Sequence, residues 1–579
     1  MGVPGFFLWL KKNKNKLDSP NLILKNIGCS IKWLMLDANC LIHPCVANIL
    51  SKYKNGELNI NKTKKLRIQI EDYIWEDIEK NINEMIEQTS PEYIYLAIDG
   101  VAPMGKILQQ RQRRYKYLYD TKIKISEQKE QKEQEKQKII TKKINISFDN
   151  YIDEPELPIQ SIELTPGTEY MERIHNRIKI YMNTLNKRKI HYVYSSYHDE
   201  GEGEHKILEY IRKNIIPTDS IVIYGLDADL LFLALGLGTK YNLYVMRESE
   251  IFSDKSNNKI SNEIIEYNYV QIAQLNKMIL KLDMNTNDFI LLCYLIGNDF
   301  LPRLLTIDVK KNGLDKILDA WKNVKNKYKI DKIVCESIDL TNNKQVNIDW
   351  KILQKIFEEL SWTEKYIWKN INREKMTLDI NMENDLLNKF IQGQEQKIDF
   401  LDKIEFGSPS EYYNYYLGLD ESGSFNTEPL IIKKMVCDYI MGIEWAIKYY
   451  LKGCVDWGWG YDFMIAPLIK DIVKYYPTNP KSIVSNPRIL KPIEQLILAI
   501  PPQTYHYVIP STIIDKIKSN KNMGYMFPES YGIDINKESY YWKCCVKIPM
   551  VDYKDFINEI KTIEIDRETN KIYSYEKNF

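Results

Sequence analysis

Seven carboxylates in the first 300 residues lie at, or just beyond, the ends of short apolar runs, and their type and placement suit divalent-cation chemistry. They are Asp37 in WLMLDANC, Asp99 in YIYLAIDG, Glu202 and Glu204 in GEGEHK, Asp227 and Asp229 in IVIYGLDADL, and Asp299 in LIGNDF. One Asp after a strand is commonly no more than a turn former or a helix cap. Seven brought together are different, because like charges at close range cannot all stay ionised without cations between them. Hard oxygen ligands favour Mg²⁺ or Mn²⁺, and the chemistry implied is metal-dependent phosphodiester cleavage. Two doublets strengthen the case. Asp227 and Asp229, at i and i+2, would share one side of an extended chain. Glu202 and Glu204 flank Gly203 just before the helix-like HKILEYIRK, where a helix N-terminus tolerates anions.

Shortly after Asp99 the chain turns basic, in DGVAPMGKILQQRQRRYKYLYD. As a helix, this run places Lys106, Gln110, Arg113 and Arg114 at i, i+4, i+7 and i+8, on one face. Guanidinium forks beside a point charge suit a terminal phosphate monoester. A solvated basic face is the ordinary reading of such a run, but nearness to a candidate metal ligand favours the phosphate. Two aromatic sites suit base stacking, worth about 1–3 kcal/mol per base. His43 follows Asp37 closely in LDANCLIHP, and Trp457 and Trp459 lie in GCVDWGWGYDF. A His near a strand end is more often structural and a Trp pair more often core, and the choice between the two tryptophans stays open.

The elements that must position these residues follow from periodicity. A run such as IVIYGL reads as a strand buried on both faces, as in parallel sheets covered by helices. Ligands bind such sheets at the carboxyl ends of the strands. The spacing predicts strands at KWLMLD, YIYLAI, HYVYSSY and SIVIYGL, a helix over roughly 63–88, and a basic helix from about 104. TPGTEYMERIHNRIKIYMNTL reads as a turn and a helix, with Thr165 or Thr168 as cap. EQKEQKEQEKQKIITKK is a charge-mixed insertion, over about 121–160, expected to be a solvated helix or a tether. Beyond about residue 310, WKILQKIFEELSWTEKYIWKNI, PLIIKKMVCDYIMGIEWAIKYYLKG and PIEQLILAI read as helices. The expectation is an α/β fold with a mixed, largely parallel central sheet flanked by helices over 1–310. A mostly helical region, 311–579, would pack on it and wall the active site.

Composition narrows the class. With 579 residues the chain can bury at least two domain-sized cores, and a formal net charge of +1 excludes a polycationic tail binder. Nine cysteines without CxxC pairs argue against a zinc module. No stretch approaches a membrane span, and Phe6 stands where a myristoylation signal wants Ser or Thr. A protein of a reducing compartment is expected, without membrane association. Heavy use of Lys, Asn, Ile and Tyr fits an AT-rich genome, such as that of a large DNA virus or a protist.

The ordered set MGVPGFF, LDANCLIH, IDGVAPMGKILQQRQRRYK, TPGTEYM, GEGEHKI, IYGLDADLLFL and LCYLIGNDFLP resembles the Xrn-type 5′→3′ exoribonucleases. Fainter similarity continues through GCVDWGWGYDFMIAP, PIEQLILAIPP and WKCCVKIPMVD, so the resemblance spans nearly the whole chain. It implies a PIN/flap-nuclease-like core and processive release of nucleoside 5′-monophosphates from single-stranded RNA bearing a 5′-monophosphate. It implies that Asp37, Asp99, Glu202, Glu204, Asp227, Asp229 and Asp299 bind or orient two Mg²⁺ or Mn²⁺ ions. Lys106, Gln110, Arg113 and Arg114 would form the 5′-phosphate pocket, and His43 with Trp457 or Trp459 would sandwich the terminal base.

The pattern departs from the family in places. Met104 and Gly105 stand where the family more often has Arg-Ala, Met464 replaces a usual His, and GNDFLPRLL lacks a second proline. The chain reads as a near-minimal catalytic core, expected to be a monomer in cytoplasmic RNA decay, with a nuclear site left open. Two rivals remain. A flap-type DNA endonuclease would need a threading arch and a duplex-binding element, which the sequence does not reveal. A non-catalytic RNA-end binder would be expected to have lost some of the seven acids.

Overall fold

A computed structural model describes residues 6–13, 19–141, 157–227, 229–248, 266–308, 312–338, 344–364, 408–418, 428–478, 480, 487–534 and 544–563, with side chains for all but 7, 8, 123–141, 338 and 428. Its centre is a seven-stranded sheet built from β1 (Ile23–Leu24), β2 (Trp33–Asp37), β3 (Tyr93–Ala97), β4 (His191–Ser195), β5 (Ser220–Tyr224), β6 (Asn242–Glu248) and β7 (Tyr267–Gln271). The spatial order is β1-β7-β6-β5-β2-β3-β4. The five strands from β6 to β4 are parallel, while β7 and β1 add an antiparallel edge. From β2 the chain moves outward through β3 to β4, then returns to lay β5 on the other side of β2. The order therefore reverses at β2, and the crevice beyond the carboxyl ends at such a reversal is where open α/β sheets bind ligands.

The alternation within these strands divides two cores. Trp33, Met35, Ile221 and Ile223 face one way, into a cluster that also holds Ile440, Trp445, Tyr449 and Tyr450 from the far half of the chain. Leu34, Leu36, Val222 and Tyr224 face the other way, onto the helices Asn39–Lys54, Leu66–Thr89 and Glu169–Leu185. Each fully buried aliphatic side chain contributes about 1.5–3 kcal/mol. The helix expected over 63–88 runs Leu66–Thr89. Of the two candidate caps it is Thr168 that opens Glu169–Leu185, its hydroxyl oxygen accepting from the Met171 amide at 3.2 Å.

The basic run forms one helix, Met104–Thr141, which continues through the charge-mixed segment to residue 141. The expected insertion beyond that point lies outside the described residues as far as 156. Its first turns pack Met104, Ile107 and Leu108 against Ile493, Leu496 and Ile497 of the helix Pro492–Ala499. Arg111, fully buried, donates to the Leu498 carbonyl at 2.8 Å and to that of Met526. Arg111 is thus committed to anchoring the helix, which leaves its neighbours to face the cleft. No helix among the described residues is long and apolar enough to cross a membrane.

Candidate active site

The carboxyl ends of β5, β2, β3 and β4 deliver most of the acids. Asp37 is the last residue of β2, and its Oδ1 accepts from the Asn39 amide at 3.1 Å. Asp99 lies two residues past β3. Its Oδ1 accepts from the Gly203 amide at 2.6 Å, and its own amide donates to Asn39 Oδ1 at 3.2 Å. The loop after β4 leads to Glu202, the N-cap of the helix Gly203–Asn214, with Glu204 in its first turn. Asp227 stands exposed after β5, whereas Asp229 is buried as the first residue of the helix Asp229–Gly236. β5 ends at Tyr224 and a helix starts at Asp229, so the two acids do not share one strand. Asp299 arrives from the opposite side, after the helix Thr286–Cys293 and the turn Tyr294–Ile296.

The structure brings the seven acids into one electrostatic network. Asp37 is pushed up to about 8, first by burial and then by the charges of Asp99 and Asp227. Asp99 rises to about 6 through burial and Glu202, and Asp229 to about 6 through burial and Asp299. Glu204 is driven well above the carboxylate range by burial, Asp229 and Glu202. Asp299 moves the other way. Burial works against its charge, but the Lys106 ammonium, 2.7 Å from Oδ2, overcomes that. Lys106 also lies 2.5 Å from Glu202 Oε2, so it bridges two acids as well as heading the basic face.

This arrangement fits divalent cations. Buried carboxylates that raise one another's pKa are stabilised as anions by an ion between them. Asp229 Oδ1 is buried without a hydrogen-bond partner among the described residues, as an oxygen reserved for a cation would be. Glu202, Glu204 and His205 present ligand atoms within 4.8 Å of one another, close enough for one ion. His205 was not among the sequence candidates; its position next to Glu204 in GEGEHK is the only signal for it. Lys206 and Cys40 were missed too. Lys206 Nζ donates to the carbonyls of Ile98 at 2.8 Å and Ser196 at 2.7 Å, tying the ends of β3 and β4 together. Cys40 donates from Sγ to Asp37 Oδ2 at 3.1 Å.

The basic face lies beside this centre. Arg113 is exposed and Arg114 half-buried. Arg114 Nη1 and Gln110 Oε1 are buried with no hydrogen-bond partner among the described residues. Arg114 is lowered to about 10, by burial and then by Arg113. His43, exposed on the helix Asn39–Lys54, is lowered to about 4 by desolvation and by Arg114 and Arg113, with Asp227 acting oppositely. His43 therefore sits within the fields of both the basic pair and the acidic group. The tryptophans diverge. Trp457 lines a cavity of about 300 Å³ together with Gly201, His205, Lys206 and Tyr449. Trp459 stacks on Trp445 at 4.8 Å and would lie 2.8 Å from a β-carbon at Gly442. Their carbonyls accept from the amides of Met104 and Gly105 at 2.9 Å each, so the DWGW segment also caps the basic helix.

Residues 1–249 match the family model described as XRN 5′-3′ exonuclease N-terminus, and residues 280–390 and 370–572 match the Xrn1 helical domain. The chain belongs to the XRN 5′–3′ exonuclease family. It is 24% identical to 5′-3′ exoribonuclease 1 of Schizosaccharomyces pombe over 97% of its own length and 48% of that protein. It is 24% identical to 5′-3′ exoribonuclease 2 of Debaryomyces hansenii, over 95% of this chain and 69% of the relative. Against human 5′-3′ exoribonuclease 1 the identity is 25%, over 97% of this chain and 34% of the human protein. The chain thus spans about half or less of the two exoribonucleases numbered 1. The first match covers β1 to β6 and six of the seven acids, and the second covers Asp299 and most of the helical region that follows.

Proposed function

We propose that this protein is a divalent-metal-dependent 5′→3′ exoribonuclease that acts on single-stranded RNA with a 5′-monophosphate and releases nucleoside 5′-monophosphates. Two buried, unsatisfied groups support this reading most directly. Among the described residues, a buried carboxylate oxygen of Asp229 has no hydrogen-bond donor, and a buried guanidinium nitrogen of Arg114 has no acceptor. The first suits a cation and the second suits a phosphate. The names of the relatives, all 5′-3′ exoribonucleases, support the polarity and the substrate class.

In this reading Asp37, Asp99, Glu202, Glu204, Asp227, Asp229 and Asp299 hold two Mg²⁺ or Mn²⁺ ions. When bound, such ions activate water and offset the charge on the leaving 3′-oxygen. Gln110, Arg113 and Arg114 grip the terminal phosphate, and Lys106 joins the grip to the acids through Glu202 and Asp299. Gripping one end fixes where the next phosphodiester lies, an orientation effect rather than a chemical one. His43 and Trp457 offer flat faces to the terminal base. A cap or a triphosphate adds bulk and charge that the half-buried Arg114 cannot accommodate.

The test is a time course on 3′- and 5′-labelled, 5′-monophosphorylated single-stranded RNA with Mg²⁺, Mn²⁺ or EDTA. Mononucleotides from the 5′ end, seen only with divalent ions, are expected. Oligonucleotide flaps released from branched DNA, with RNA left intact, would overturn the reading.

A further inference from the structure

Glu202 and Asp229 reach the metal centre from two different helices, yet both are held from the same place. The helix Glu428–Leu451 ends in consecutive tyrosines, Tyr449 and Tyr450. The Tyr449 hydroxyl donates to Glu202 Oε1 at 2.8 Å, and the Tyr450 hydroxyl donates to Asp229 Oδ2 at 3.3 Å. All four side chains are buried. The consequence for Asp229 is specific. With Oδ2 occupied by a phenol, Oδ1 is left as the bare oxygen, and it is Oδ1 that has no other partner among the described residues.

Each phenol is itself held. Tyr449 stacks between His205, with ring centroids 3.8 Å apart, and Trp445 at 4.8 Å, and Phe300 meets its edge at 5.4 Å. Tyr450 packs on Tyr294 at 4.9 Å, and its carbonyl accepts from Arg212 at 2.8 Å. Gly236 lets the helix Asp229–Gly236 approach this point, since a β-carbon there would lie 2.9 Å from Leu451 Cδ2 and 3.4 Å from the Tyr450 carbonyl. Such close packing leaves the hydroxyls few positions. Outer groups of this kind orient metal ligands, and their loss commonly weakens metal affinity by about 10–100-fold.

We propose that Tyr449 and Tyr450 are positioning residues that fix Glu202 and Asp229 for metal, so that the C-terminal half of the chain sets the affinity of the centre built on the N-terminal half. The inference rests on the proposed metal dependence but can be read without RNA. The experiment is Mn²⁺ binding to the full chain, by calorimetry and by electron paramagnetic resonance, for wild type, Tyr449→Phe, Tyr450→Phe and Tyr450→Ala. Thermal unfolding in EDTA is measured beside it.

Phenylalanine keeps the ring packing and removes only the hydroxyl. About tenfold weaker Mn²⁺ binding in each Phe variant, with metal-free melting close to wild type, is expected. A role in packing alone predicts the opposite: Phe variants that bind like wild type, and a loss confined to Tyr450→Ala. That outcome would overturn the proposal. If wild type binds Mn²⁺ and the Phe variants do not, while RNA is left uncut, the positioning role stands and the exoribonuclease reading fails.

Discussion

Gly203 lies so close to Asp37 that a β-carbon on it would stand 2.9 Å from Asp37 Oδ1. The same glycine donates its amide to Asp99 Oδ1 at 2.6 Å, so one residue without a side chain spaces two acids at the ends of adjacent strands. Gly203→Ala favours the helix it begins, where Ala is better than Gly by up to about 1 kcal/mol. The added methyl must displace the Asp37 carboxylate. The expected outcome is a melting temperature within a few degrees of wild type, with metal affinity and RNA hydrolysis reduced about 10–100-fold. Mn²⁺ titration against thermal unfolding checks this. A variant that binds metal normally would refute the spacing role.

The raised carboxylates give the metal-free protein an unusual pH dependence. Asp37 titrates at about 8 in the fold and Glu204 well above its ordinary range. An unfolded chain releases those protons near pH 4. Between the two values the folded state binds more protons than the unfolded state, so stability falls as pH rises. His43, lowered to about 4, and His205, lowered well below its ordinary value by burial, act in the opposite sense, but only below about pH 6.5, where an unfolded His becomes protonated. Lys206, lowered to about 8, opposes the fall only above that value. The window from about pH 6.5 to 8 therefore isolates the acids. Unfolding in EDTA is expected to lose about 1.4 kcal/mol per pH unit for each such group across it. Millimolar Mg²⁺ is expected to flatten the slope, because an ion takes over from the proton.

The buried Nη1 of Arg114, without a hydrogen-bond partner among the described residues, makes a separable prediction. Arg114→Ala removes a donor suited to the terminal phosphate and touches none of the acids. The rate on 5′-monophosphorylated RNA is expected to fall at least several-fold, while Mn²⁺ binding stays at the wild-type value. Wild type is expected to degrade 5′-triphosphorylated RNA far more slowly than monophosphorylated RNA. Equal rates on the two ends, measured with matched transcripts, would remove the phosphate role.

Much of this was legible in the sequence because it is local. Apolar runs such as WLML and IVIY announced strands buried on both faces, and an acid after each one marked a carboxyl end. The basic face read correctly as one helix because its i, i+4, i+7, i+8 spacing has only one such interpretation. What the Asp227–Asp229 spacing could not report is that β5 stops at Tyr224 and a helix starts at Asp229. What stayed hidden is non-local. Tyr449 and Tyr450 meet acids 247 and 221 residues away, and YY in an apolar run looks like ordinary core. Lys106 illustrates the same limit from the other side. Its place on the basic face was readable, but its bridge to Asp299, 193 residues away, was not.

The two tryptophans of DWGW, inseparable by sequence, are expected to respond differently to truncation. Trp459 stacks on Trp445, lies close to Gly442 and flanks Gly105, so its indole is part of the packing under the basic helix. Trp459→Ala opens a cavity there and is expected to cost about 3 kcal/mol of stability. Trp457 instead borders the cavity beside Gly201 and Lys206. Trp457→Ala is expected to leave unfolding nearly unchanged and to weaken single-stranded RNA binding by about 1–3 kcal/mol, the worth of one base stacked on an aromatic face. Binding is best measured with Ca²⁺ in place of Mg²⁺ to suppress turnover, alongside denaturant unfolding of both variants. If Trp459→Ala weakens RNA binding at unchanged stability while Trp457→Ala does neither, the stacking face belongs to Trp459, and the stack on Trp445 serves to present it.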